Sequence, residues 1–517
     1  MNAKADRGAT ARAVMLWSAV AALTALRLTV AASGNLNEGE ALITLCAAHP
    51  AGGYVEGPAG VPLLVALNGL FCGGSTFALR WLSSLGLLLL SWCVWWIGRR
   101  LSPRRPAVAL WSVLVLNLLP AVTLSSLIMD GALVTAAVVL LAVVAAWHAV
   151  EAGKGNRLAV WGLFGVSLGF GTLFCYPVGW LLPAALLAGF VSRGGNSLPW
   201  RGALLAAALL ALGWVVPLAW NARHDWIQAS SVAASFDGYP WEAFGSLNSW
   251  LLAVLIPVDL ALVAGFFFLL LEARGEEPSR RLVLLSLPCL VSMGLRMFSG
   301  HGSFPTGLVI ASAALLLPPT LMLALSSRGW NWVAGLAALP AATFSLFLLA
   351  VPGLIPPGFP SPEGVRGVAS LVSEIVALRE ERSDSQGERP FLIASTPGLA
   401  ALLGERMILP YPERPGAPSV FAAESPNLGS SFSLWPGYAD AVAAGGGDPL
   451  YTEEKAVSPF LGRNALYITT ESPGELPQTI TGAFDAVGLL KECTLRRNAR
   501  PVTIRIYQCE KYRSLSL

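Results

Sequence analysis

From Ala13 to Pro352 the chain alternates long apolar stretches with short polar breaks. A helix needs about 20 apolar residues to cross a hydrocarbon core roughly 30 Å thick. About eleven stretches approach that length: 12–32, 78–98, 106–126, 129–149, 158–175, 176–192, 202–220, 248–271, 281–298, 305–326 and 330–352. The pattern predicts a mainly α, polytopic membrane domain over 1–352 with about 11 transmembrane helices and one long extramembrane loop at 33–77. Beyond it, 353–363 reads as a Pro-rich linker, and 364–517 has only short apolar runs between polar ones. Helical periodicity runs through Val365, Val368, Leu371, Val372, Ile375 and Leu378, whereas Phe391–Ser395, Ala465–Thr470 and Val502–Gln508 read as strands. The tail is therefore expected to be a small α/β domain.

Charge orients the spans, because short basic loops stay cytoplasmic. Lys4, Arg7 and Arg12 precede the first span. Arg99, Arg100, Arg104 and Arg105, then Lys154 and Arg157, Arg193 and Arg201, Arg274, Arg280 and Arg281, and Arg328 fall in alternate loops. The intervening loops 33–77, 221–247 and 299–304 carry Arg223 as their one cation. The amino terminus is expected inside, the large loops and the tail domain outside, in a multi-pass protein of the inner cell membrane. The first span is long and lacks a small-residue cleavage site, so it reads as a retained helix.

Composition narrows the function. Hydrophobic residues make up 55% and charged residues 13%, about half the usual charged share of a soluble domain, which excludes an ordinary soluble enzyme. A net charge of +3 leaves no basis for nucleic-acid binding through phosphate neutralisation. Seven cysteines show no Cys-x-x-Cys pair and no zinc-type spacing. Cys493 and Cys509 flank a turn signal at Asn498–Pro501, which leaves open a disulfide across a hairpin or two buried thiols.

Candidate chemistry concentrates in the first loop, where Glu38, Glu40 and Glu56 follow the first span. Such carboxylates can act as a general base toward an acceptor hydroxyl or amine, with Glu40 and Glu38 the candidates. They can also hold a divalent cation against a phosphate, with Glu56 the candidate ligand and the cation the one candidate cofactor. The alternative is that Glu38 and Glu40 complement the N-terminal dipole of a short helix. Asp130 could line a donor pocket or cap the helix after it. Arg223, His224 and Asp225 could bind a carrier phosphate, or form an interfacial turn pinned by Trp220 and Trp226. A metal-ligand role for His49, and any functional role for Arg27, Asp259 and Arg296, competes with hydrogen bonding, pairing and snorkelling.

These residues resemble bacterial glycosyltransferase family 39, which includes protein mannosyltransferases and the lipid A aminoarabinose transferase, all of GT-C fold. In the first loop Glu40-Ala41, His49, Gly53-Tyr54 and Pro58 match the family's pattern. The likeness continues at Phe77–Ser83, Gly98–Leu101 and Met129–Ala132. It is most specific at Pro217–Trp226, where the family has P-x-x-x-W-N-x-x-H-D-W, and extends to Phe432–Pro436, Asn464–Tyr467 and Ile506–Cys509 in the tail. The resemblance implies a transferase that takes a sugar from a polyprenyl-phosphate donor and passes it to an envelope acceptor, which would be a protein, a lipid such as lipid A, or a polysaccharide. It implies a loop Asp as general base and a cation or basic group on the leaving phosphate. Glu56, Asp130, Arg223 and His224 are then the donor and phosphate candidates. The family's Asp aligns with Gly39, its basic residue after the second acid with Gly57, and a common lysine with Cys175. Either Glu38 or Glu40 takes over as base, or the chain is a degenerate relative that binds a lipid-linked sugar or an envelope partner without transfer. A lipid-precursor transporter is disfavoured by the lack of an internal repeat and of midplane polar groups.

Overall fold

The computed structural model describes residues 3–152, 157–192, 199–234, 249–298, 306–351, 362–383, 387–407, 415–424, 430–440, 458–497 and 500–513. Most of the predicted linker at 353–363, the cations Lys154 and Arg193, the loop 299–304 and the turn residue Asn498 lie outside them. The chain forms two compact units: residues 1–33, 50–53 and 57–352, and residues 34–49, 54–56 and 353–517.

In the first unit each apolar run is helical. The helices are α1 (Ala3–Ala32), α4 (Thr76–Leu101), α5 (Pro106–Asn117), α6 (Pro120–Leu127), α7 (Ala132–Glu151), α8 (Arg157–Thr172) and α9 (Leu181–Ser192). They continue with α10 (Trp200–Arg223), α12 (Ser249–Glu272), α13 (Glu277–Phe298), α14 (Thr306–Ala324) and α15 (Arg328–Ala350). Among the described residues, six helices are individually long and apolar enough to cross a membrane, and α5 with α6, bent by 57° at their break, makes a seventh if taken as one span. The break has a local cause. Pro120 lacks an N–H and opens α6 at its first turn, so the run expected at 106–126 becomes two helices. The run 176–192 likewise divides into a 3-10 turn, Tyr176–Trp180, and α9.

The core is built on α7, apolar on all sides and buried along nearly its whole length against α4, α8, α9 and α14. Helices α8 and α10 cross on glycine: a Cβ on Gly165 would lie 2.6 Å from Ala206 Cα, and one on Gly169 2.6 Å from Leu209 O. Small residues allow such approach where no hydrophobic drive separates helix from lipid. Arg27, fully buried, donates Nη1 to Asn117 Oδ1 at 3.0 Å and Nη2 to Asn117 O. Asn117 Nδ2 donates to Ser91 Oγ at 2.9 Å, which ties α1, α4 and the α5 terminus together.

The loop at 33–77 is itself structured. It holds α2 (Glu38–Ala48), two two-residue strands, β1 (Gly53–Tyr54) and β2 (Gly57–Pro58), and α3 (Gly60–Cys72).

The second unit is a six-stranded sheet with α16 (Val368–Glu381) and α17 (Pro397–Arg406). Its strands are β3 (Val365–Arg366), β4 (Phe391–Ala394), β5 (Phe421–Ala422), β6 (Ala465–Thr469), β7 (Phe484–Arg497) and β8 (Arg500–Tyr512), in the order β3-β7-β8-β6-β4-β5. β4 runs parallel to β5 and β6, and the other pairs are antiparallel. The core is aromatic, with Phe391 against Phe421, Tyr438, Phe460, Phe484 and Tyr512. Residues 34–49 belong to this unit by hydrogen bonding: Asn35 N donates to Glu363 O at 3.2 Å and Val365 N to Leu36 O at 3.1 Å. Between those two bonds Gly364 has φ +61, and a Cβ there would collide with Asn35 O, so the junction requires glycine. Cys493 and Cys509 do not face each other across the β7–β8 hairpin, which decides between the two open readings. The register places Cys493 opposite Ile504 and Cys509 opposite Val487, and both cysteines are free thiols.

Candidate active site

In the second unit, α2 starts with a capping box. Asn37 accepts from Glu40 N at 2.9 Å, and the Glu40 carboxylate accepts from Asn37 N at 3.0 Å. Glu40 is 1% exposed. Glu38, one turn position earlier, is ion-paired with Arg497 at the end of β7, and its side chain is 27% exposed. Gly398 at the start of α17 leaves space for it, since a Cβ there would come within 2.8 Å of Glu38 Cβ. Gly39 lies between them, exposed, and a Cβ on it would touch only Asn37 Oδ1, at 3.4 Å.

Glu56 is held by Ser431, which opens a 3-10 turn at Ser431–Leu434. Ser431 N donates to Oε1 at 2.9 Å and Ser431 Oγ donates to Oε2, while Oγ also accepts from Val55 N at 3.1 Å. Burial, together with the Glu56 carboxylate, pushes the Cys46 thiol up. His49 stacks on Trp435 with ring centroids 4.7 Å apart, and its Nδ1 lies 3.1 Å from Leu45 O. Both Glu56 oxygens are thus in use. Among the described residues no group of three or more His, Cys, Asp or Glu could hold a metal ion.

In the first unit, Asp130 is exposed. It accepts from Ser125 Oγ at 2.7 Å and from Ala132 N at 2.9 Å, beside Gly131, the N-cap residue of α7. Arg223, the last residue of α10, is exposed, and its side chain makes no hydrogen bond or ion pair with the described residues. His224 stacks on Trp220 at 4.3 Å with Nδ1 2.7 Å from Trp220 O. Asp225 and Trp226 then turn the chain through the left-handed region into α11 (Ile227–Ala234).

This turn delivers a buried hub. Gln228 Oε1 accepts from Tyr176 OH and from Asn221 Nδ2, each at 2.7 Å, and Gln228 Nε2 donates to Gly57 O at 2.8 Å. Gly53 lies against the Trp220 ring, where a Cβ would come within 2.8 Å. Gly57 has φ +150, a conformation that disfavours a side chain. Cys175 is buried beside Tyr176.

Residues 56–220 match the family described as Dolichyl-phosphate-mannose-protein mannosyltransferase. The fold matches the crystal structure of ArnT from Cupriavidus metallidurans bound to undecaprenyl phosphate at 13% identity, over 96% of this chain and 98% of that one, with TM-score 0.55. It matches the same protein in the apo state at 13% identity, over 97% and 98%, with TM-score 0.57. The chain has the fold of these ArnT structures along almost its full length. No curated protein sequence matches it. In this multi-pass membrane fold Glu40, Glu38 and Glu56 are engaged in local contacts, whereas the Arg223 side chain is exposed. Tyr176, Gln228, Ser431 and Arg497 carry the geometry around the motifs, and the sequence alone did not single them out.

Proposed function

We propose that the chain transfers a sugar from a polyprenyl-phosphate donor to an envelope acceptor at the extracytoplasmic face of the inner membrane, with its amino terminus cytoplasmic and residues 364–517 outside. The observation that carries this reading is the family match across 56–220 on a fold that aligns with ArnT along almost its full length. An acceptor oxygen or nitrogen attacks the anomeric carbon and the bond from that carbon to the carrier phosphate breaks. The electron pair leaves on the phosphate and the acceptor proton passes to a carboxylate. Glu38 is the better base than Glu40. It is partly exposed and needs only to leave Arg497, whereas withdrawing Glu40 dissolves the cap of its own helix. Arg223, with Asp130 and His224 on the donor, is proposed to receive the leaving phosphate, the guanidinium being suited to bidentate contact.

A second reading, a relative that binds a lipid-linked sugar without transfer, is favoured by the commitment of all three loop carboxylates and the bare Gly39. Mass spectrometry of envelope glycolipids and glycoproteins decides, in a deletion strain complemented with wild type, Glu38→Gln, Glu40→Gln or Gly39→Asp at equal protein level. The proposal expects a sugar-sized addition that vanishes on deletion and with Glu38→Gln and persists, reduced, with Glu40→Gln. A profile indifferent to deletion, with a new addition created by Gly39→Asp, establishes the second reading.

A further inference from the structure

The loop carrying the acidic motifs folds with the tail domain, and its contacts there are specific. Residues 34–49 and 54–56 join 353–517 in one unit. Its seams are the two backbone bonds around Gly364 and the packing of α2 on α17. Within this unit two side chains of the tail reach the acids themselves. Ser431 grips Glu56 through both its N–H and its Oγ, and the same Oγ accepts the neighbouring Val55 N–H. A carboxylate with both oxygens bonded to one residue has its rotamer fixed, and the shared hydroxyl fixes the backbone it hangs from. Arg497 pairs with Glu38. The sequence separations are 375 and 459 residues, so the tail is the template on which the loop takes shape.

We infer that Ser431 and Arg497 are positioning residues of the transfer site: Ser431 sets the Glu56 carboxylate for the donor, and Arg497 holds the Glu38 carboxylate in place between turnovers. The tail domain thereby acts in catalysis by completing the loop. This inference rests on the transferase reading for its kinetic consequences and on the unit's own geometry for its structural ones, so the two are tested separately.

The structural arm is amide hydrogen exchange on the full-length protein, followed by mass spectrometry in peptides covering 34–58. Ser431→Ala removes the hydroxyl that bridges Val55 and Glu56 and is expected to speed exchange at 53–58 about tenfold, roughly what loss of one well-placed bond allows. Arg497→Ala is expected to speed exchange in the first turn of α2, with α4 and α7 unchanged in both variants. The kinetic arm uses a polyprenyl-phosphate sugar as donor. Ser431→Ala is expected to raise the donor KM about tenfold with little change in kcat, and Arg497→Ala to lower kcat about tenfold with little change in KM. Ser431→Thr and Arg497→Lys, which keep a hydroxyl and a cation, are expected to restore most of each loss. A merely structural role would lower the folded fraction and leave the KM-against-kcat split and the rescue absent. Wild-type exchange across 34–58 in both alanine variants overturns the inference. Absence of transfer by the wild type overturns the functional reading instead, and the exchange arm still decides whether the tail holds the loop.

Discussion

Gln228→Met tests the buried hub at its centre. Gln228 is 7% exposed and serves Tyr176 OH, Asn221 Nδ2 and Gly57 O at 2.7, 2.7 and 2.8 Å. Methionine nearly conserves the volume, so the packing change is small, and the effect is that of polar groups left without partners. Asn221 Nδ2 keeps a second bond, to Pro217 O at 2.9 Å. Gly57 and Tyr176 are both half-buried, and each loses its partner on Gln228. Two half-buried groups left without that partner amount to about 2–3 kcal/mol. Cys175, at 0% exposure, precedes Tyr176 and reports on this region. Where labelling is limited by the opening equilibrium, 2–3 kcal/mol corresponds to roughly 30- to 150-fold faster modification of Cys175 by a maleimide, read by peptide-resolved mass spectrometry of the full chain. Tyr176→Phe removes the same bond from its other end, so the double variant should show strong non-additivity. A Gln228→Met rate within twofold of wild type refutes the claim that this hub fastens Tyr176 and Gly57 to α11.

Three further outcomes follow from the geometry. Glu151 accepts from Arg100 at 2.7 Å, Arg281 at 2.6 Å and Trp147 Nε1 at 2.8 Å. Because the Arg281 side chain is only 13% exposed while that of Arg100 is 43% exposed, Glu151→Gln should cost about 1 kcal/mol, mostly through Arg281; equal melting of variant and wild type at low salt counts against it. Gly213→Ala and Gly189→Ala should act with opposite signs. A Cβ on Gly213 collides with the Gly169 backbone, whereas one on Gly189 meets nothing within 4 Å and gains up to about 1 kcal/mol of helix propensity, which thermal melting of the two variants separates. Burial raises the pKa of Glu424, against the Ala439 N–H, which lowers it. Its stabilising neutral form is fully present below the unfolded carboxylate range and is lost as pH rises through the raised folded value. Glu424→Gln should therefore stabilise the tail unit at neutral pH and flatten its stability profile on the alkaline side of that value, and an unchanged profile would exclude the effect.

The helices were legible because each apolar run is a local property of the chain, and among the described residues the predicted runs are helical apart from the break within 106–126 and the 3-10 turn that opens 176–192. The break before Pro120 was equally local, but the apolar run passes through it unaltered and hides it. Gly60–Cys72, at 13 residues, is apolar but too short to cross a membrane, so it read as loop. Between the disulfide and the two thiols left open for Cys493 and Cys509, register decides for the thiols. Arg497 faces Arg500 across the turn, which sets Ile504 against Cys493, five residues short of Cys509. What the sequence could not disclose is partnership at long range. Ser431 and Arg497 carry no local mark, and Gln228 meets Asn221 only because the left-handed turn at Asp225 and Trp226 folds α11 back toward the end of α10.

The two glycines that depart from the family pattern are different in kind. Gly57 has a physical reason: at φ +150, with its carbonyl taken by Gln228, a side chain would strain the turn. Gly39 has none. Its φ is ordinary, a Cβ meets one atom at 3.4 Å, and an acid in the first turn of α2 would add up to about 1 kcal/mol through the helix dipole. Local stability therefore favours Asp at 39, and the glycine there is a chemical departure that packing does not impose. The absence of a basic side chain at 57 is explained by the backbone and says little about activity. Restoring the carboxylate at 39 bears directly on it, because the fold is already shaped to accept that residue.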